Sequence, residues 1–195
     1  MAPFDHDDLI PLLRFTSSKS GDALISLADY AGRMKEGQEA LYYILGESIG
    51  AVAVSPHLDY FKTHDIEVLY LVDPLDGFMV QGLREFEGKP LKNVDDADLQ
   101  FPEAEEPAGE TAASTEPEAF ESLIERFKQV LGARVTDVRA SKLLRDSPCR
   151  LVSPESGPEQ DLQRVRRLIE QNFELPPKIL EINRSHPLIQ NLTHL

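Results

Sequence analysis

The 195-residue sequence has one cysteine, Cys149. Neither an intrachain disulfide nor a cysteine-rich zinc site can be built from it, and a reducing compartment is the expected setting. It has no run of about 18 apolar residues of the kind that spans a bilayer. The opening MAPFDHDDLIPLLRF is acidic where a secretory signal would be basic, so the expected location is cytoplasmic. Basic residues are also short, 20 against 34 acidic for a net charge of -14, which argues against a phosphate-neutralising nucleic-acid surface and a polybasic membrane anchor.

The motifs of common chemistries are missing as well. Neither GxGxxG nor GxxxxGK[ST] occurs, and no GxSxG elbow presents Ser17, Ser18, Ser48 or Ser147 as a nucleophile. His6, His57, His64, His186 and His194 are scattered, without the HExxH spacing that brings two imidazoles to one metal. No catalytic, cofactor-binding or metal-ligating residue is therefore expected. Cys149 has no CxxC partner and falls in an apolar strand pattern, which predicts a buried thiol.

What is present is a 41% hydrophobic content, enough for packed cores, divided by one conspicuous stretch. Residues 95 to 118, DDADLQFPEAEEPAGETAASTEPE, hold nine acidic residues, three prolines and no basic residue. Such a segment buries too little surface to offset its ordering entropy and reads as a flexible acidic linker, with a reach of roughly 25 to 30 Å. Outside it stand 34 - 9 = 25 acidic and 20 basic residues, so most of the negative charge is local to the linker.

Residues 1 to 94 alternate helix and strand. Ser26 and Asp29 have capping-box spacing ahead of a helix that should stop near Gly37. Leu41 to Leu45 and Val68 to Val72 are short continuous apolar runs, the form of strands covered on both faces. Ser48 to Ser55 and Pro56 to His64 read as helix, and a strand, crossover helix and strand imply a parallel βαβ unit. Pro74 to Glu85 reads as the next helix, with Leu75, Phe78, Met79, Leu83 and Phe86 near helical spacing, and Pro90 to Val94 as an edge strand. The fold class is α/β, a small three-layer α/β/α sandwich with a short parallel sheet. Residues 119 to 195 read as a partial α+β domain. Its long helix is capped by Thr115 and Glu118 and stopped by Gly132, with strands at Val135 to Ala140, Cys149 to Ser153 and Ile179 to Ile182, and short helices from Ser156 and Pro187.

The turn Gly46-Glu47-Ser48-Ile49-Gly50 stands between a buried strand and a helix, where backbone N-H groups can hold an anion. Glu47 would set a negative charge beside it, so an ordinary βα turn is favoured over a nucleotide site. Two stretches could bind other proteins, with core packing the plainer role of each: the helix of Phe78, Met79 and Gln81, whose apolar residues exceed one core-facing stripe, and Asp161 to Asn172, where Leu162, Val165, Leu168 and Ile169 form a stripe opposite Arg164, Arg166 and Arg167.

Four ordered blocks carry a resemblance: RMKEGQEALYYILGES, SPHLDYFKTHDIEVLYLVDPLDGFMVQGLREFEGKPL, RVTDVRASKLLRDSPCRLV and ILEINRSHPLIQNL. Together they resemble the heat-shock protein 90 family of bacterial HtpG type, from about Leu9 to Leu192 with a lapse across the linker. The resemblance implies that residues 1 to 94 are the end of a chaperone middle domain and 119 to 195 the start of its C-terminal domain, truncated before the helices that make the family dimeric. It implies unfolded or partly folded client proteins as partners and a stress-response role. ATP and Mg would be bound by an N-terminal domain upstream of Met1, so this chain would be a non-catalytic, monomeric part of a homodimeric ATPase. Client-binding residues carried over are Phe78, Met79 and Gln81, with Leu162, Val165 and Ile169 on the family's amphipathic helix. Relatives often have Trp and Asn where Phe78 and Gln81 stand, and the helix here holds no methionine. The alternatives are a small α/β nucleotide-binding or enzyme domain using the Gly46 turn, and a non-chaperone interaction module.

Overall fold

A computed structural model describes residues 9 to 99, 101, 116 to 154, 162 and 176 to 194. The chain forms two compact units that part between Val94 and Asp95. Among the described residues no helix is long and apolar enough to cross a membrane.

In the first unit five strands make one mixed sheet: β1 (Thr16–Ser17), β2 (Leu41–Leu45), β3 (Val68–Leu71), β4 (Glu85–Phe86) and β5 (Lys89–Asn93), in the order β1-β3-β2-β5-β4. The central strands are parallel, with Tyr43 opposite Leu69 and Asn93, while β1 and β4 close the edges antiparallel. β2 and β3 are buried nearly throughout, because helices cover both faces, as their unbroken apolar runs predict. On one face Leu41, Tyr43, Leu69 and Leu71 share a core with Leu27 and Tyr30 of α1 (Leu27–Gly32) and Val80 of α4 (Asp76–Gly82). On the other, the Tyr42 ring meets Phe61 of α3 (Asp59–Thr63) edge-to-face at 4.9 Å. The result is the three-layer α/β/α arrangement.

Local chemistry fixes the helix starts. At α1 the Ser26 hydroxyl accepts from the Asp29 amide at 3.1 Å while Asp29 accepts from the Ser26 amide at 2.8 Å, closing the capping box. The Ser26 amide and hydroxyl also hold the Asp29 carboxyl below its usual range. The helix ends at Gly32, before the expected Gly37. Ser55 caps a 3-10 turn at Pro56–Leu58 that leads into α3.

The expected helix to Glu85 stops at Gly82, and Leu83 turns into the core. Phe86 lies instead on β4, joined to β5 through Glu87 and Gly88 with φ of 51° and 74°. Two successive positive φ values are the backbone of a tight hairpin matched to strand twist. β5 is consequently bracketed by β2 and β4 rather than being an edge strand.

The second unit packs α5 (Pro117–Leu131) and α6 (Pro187–Leu192) on a three-stranded sheet of β6 (Val135–Ala140), β8 (Lys178–Ile182) and β7 (Cys149–Val152), in that order. β6 runs parallel and β7 antiparallel to β8. Phe120, Leu123 and Ile124 of α5 meet Val138, Ile182 and Ile189 in one core. α5 begins at Pro117 with Glu116 at its N-cap and no side-chain cap, so the Thr115–Glu118 box does not set its start. Proline at the first helical position has no N-H to leave unpaired. Gly132 ends the helix with φ of 53°. The expected helix from Ser156 lies outside the described residues.

Candidate functional site

The Gly46 turn is built for packing. A Cβ on Gly46 would stand 2.0 Å from Cγ1 of Val52, whose side chain is buried beneath the turn. The Ser48 hydroxyl is already taken, accepting from the Ala51 amide at 3.2 Å to cap α2 (Ile49–Ala53). Glycine is there because helix and strand approach closely.

α4 has a different character. Asp73 accepts from the Leu75 amide at 2.8 Å, and Asp76 accepts from the Asp73 amide at 2.8 Å, which fixes where the helix starts. Gly77 and Val80 then face the core. Leu75, Phe78 and Met79, at i, i+3 and i+4, fall on one face. Leu75 is 66% exposed and Phe78 39% exposed, whereas Met79 is half-buried against the core at the border of this face. Gln81 is half-buried, and its carbonyl accepts from Arg84 Nε at 3.1 Å. The apolar patch is thus Leu75 and Phe78 flanked by Met79. Leu75 was legible as a member of the apolar pattern but not as its most exposed side chain, because a residue just ahead of the helix has no fixed face until the capping contacts are known. Of the second expected surface, Leu162 is helical and half-buried; Val165 and Ile169 lie outside the described residues.

Cys149 is exposed, not buried. Burial alternates along β7, so Arg150 and Val152 are buried while Cys149 and Leu151 are exposed. Partial covering pushes its thiol up from the usual value.

Among the described residues each unit buries one glutamate in a polar network. Glu67, just ahead of β3, accepts from Arg33 at 2.9 and 2.8 Å and from the Ser17 hydroxyl. Its carbonyl accepts from Tyr30 Oη at 2.6 Å, and that hydroxyl in turn accepts from the Tyr42 amide at 3.0 Å. Glu181 on β8 accepts from Arg139 at 2.8 and 3.0 Å, from Arg150 at 2.8 Å and from the Ser141 hydroxyl at 3.1 Å. Burial alone would raise the Glu181 carboxyl. The charge of Arg150 and the hydrogen bonds from both arginines outweigh it and hold the group below its usual range. The Glu67 network ties the end of α1 to β1 and β3, and the Glu181 network ties β8 to β6 and β7.

Comparison with known proteins supplies the context. The Hsp90 protein family model matches residues 3–195. The chain is 46% identical over 188 residues to the chaperone protein HtpG of Myxococcus xanthus, covering 95% of this chain and 28% of that protein. It is 43% identical to HtpG of Methylococcus capsulatus, covering 95% and 30%, and 42% identical to HtpG of Roseobacter denitrificans, covering 97% and 31%. The chain therefore spans less than a third of the length of the curated relatives it matches. With nearly its whole length matched by one family model and by relatives of one kind, the chain belongs to the Hsp90 protein family.

Proposed function

We propose that this segment binds unfolded or partly folded client polypeptides through the apolar face of α4, as part of a longer ATP-dependent chaperone. The observation that carries the reading is an exposed pair, Leu75 and Phe78, on a helix whose opposite face is anchored in the core. An apolar side chain held rigidly in water loses little further entropy on binding, and its desolvation favours any partner with exposed apolar groups. Membership of a family whose relatives are named chaperone proteins supports it.

In this reading Gln81 borders the patch and supplies a polar rim. Leu162, Val165 and Ile169 form a second, weaker contact surface. ATP and Mg are assigned to the remainder of the longer protein. The Gly46 turn is a poor place for a triphosphate, since Val52 fills the space at Gly46 and Glu47 adds negative charge. The isolated chain is proposed to be monomeric, non-catalytic and cytoplasmic.

The test is suppression of aggregation of an unfolded test protein by the 195-residue chain. Phe78→Ser should lose most of the protection, and Val54→Ser, which alters a side chain 78% exposed on another element, should lose none. Equal protection by both variants and the unaltered chain would remove α4 from the binding surface. Sedimentation at several concentrations checks the monomer, which a concentration-independent dimer would contradict.

A further inference from the structure

The acidic stretch that reads as a linker is, at its beginning, part of a folded sheet. Val94 is fully buried in the first unit, and its amide donates to the Tyr43 carbonyl on β2 at 2.9 Å. The very next residue belongs to the second unit. The Asp95 carbonyl accepts from the Ser153 amide at 3.1 Å, and the Asp95 carboxylate lies 2.5 Å from Lys178 Nζ. Asp96 bridges Ser153 in parallel, and the Ala97 amide donates to the Ser153 carbonyl at 3.3 Å. The Ala97 carbonyl accepts from Arg139 Nη2 at 3.0 Å, and that same guanidinium is fixed by the buried Glu181. Asp95 and Ala97, on either side of Asp96, thus bond to side chains on β8 and β6 and to the backbone of Ser153, just beyond β7. Ser153, at the centre, is 1% exposed.

We propose that residues 95 to 97 form a clasped edge of the second unit, with Lys178 and Arg139 as its fasteners. Composition alone reads nine acidic residues in a row of twenty-four as a tether. Two of them, Asp95 and Asp96, are instead used at the sheet, and the cation that meets Asp95 stands 83 residues later.

Amide hydrogen exchange on the full chain tests this, because backbone hydrogen bonds at the clasp must slow exchange if they persist in solution. In the unaltered chain the Ala97 and Ser153 amides should exchange at least about tenfold more slowly than an unstructured peptide. Lys178→Ala should speed both several-fold while the α5 amides keep their protection. The charge-reversed pair Lys178→Glu with Asp95→Lys should restore it, which a merely destabilised variant would not do. Unprotected Ala97 and Ser153 amides in the unaltered chain overturn the clasp. So does unchanged exchange in Lys178→Ala, or failure of the reversed pair to recover protection.

Discussion

Both units bury one carboxylate on or beside a strand, yet the two are held by cations of unlike freedom. Glu67 is paired with Arg33, whose side chain is 43% exposed, and Glu181 with Arg139, 39% exposed, and Arg150, only 2% exposed. Arg33 can turn to water if its partner is lost. Arg150 cannot. A buried ion pair adds little over an apolar pair of the same shape, but removing one partner strands the other charge. The two networks therefore protect against different failures: Glu67 joins a helix to the sheet, and Glu181 on β8 neutralises Arg150, a charge that the neighbouring β7 has committed to the interior.

The largest effect should come from Glu181→Gln. The amide leaves Arg150 buried without a counter-charge, at a cost of about 3 to 5 kcal/mol. Urea unfolding followed by amide signals assigned to each unit should show the second unit losing its midpoint while the first keeps it. Equal loss in both units would mean that the network is not local to the second.

Glu67→Gln sharpens the same contrast with a smaller effect. The buried group loses its charge-assisted bonds from Arg33, at about 1 to 3 kcal/mol, while Arg33 itself relaxes into solvent. The first unit alone should weaken, and by less than the second does in Glu181→Gln. A loss as large as that one would show that Arg33 is held as firmly as Arg150.

These networks mark where the sequence stops being readable. β2, β3 and α5 follow from apolar runs and helical spacing because each element pays its way by burial that neighbouring residues already signal. The Ser26–Asp29 box is equally local. Arg150 is different: an arginine in a four-residue strand reads as solvent-facing, and its partner lies 31 residues on. The same register error of one face made Cys149 look buried. Phe86 continues the helical spacing of Phe78 and Leu83 well enough to hide the hairpin, whose Glu87-Gly88 turn lacks the asparagine or aspartate that announces such turns. At the candidate site, the sequence indicated the helix and Phe78, whereas the exposure of Leu75 depended on the capping of Asp73 and Asp76, which only the folded loop reveals.

The smallest effects should separate the units by pH. All five tyrosines lie in the first unit. Burial pushes Tyr42 up to about 12 and raises Tyr30 and Tyr70 as well. A raised tyrosine keeps its proton longer folded than unfolded, so its contribution is complete below the unfolded value of about 10 and is lost as pH rises through the folded one. Glu181, held low in the second unit, behaves in the opposite sense. Its contribution is complete above the unfolded value of about 4.3 and is lost as pH falls through the lowered folded one. Asp29 and Asp65 are also lowered in the first unit, but both are exposed and screened by solvent. The urea midpoint of the second unit should therefore fall first in acid, while above pH about 10 the three raised tyrosines of the first unit should outweigh the one raised thiol, Cys149, of the second. Glu181→Gln should remove the acid slope of the second unit and leave the alkaline slope of the first. An acid slope that survives the substitution would assign it to other carboxylates and break the contrast between the two units.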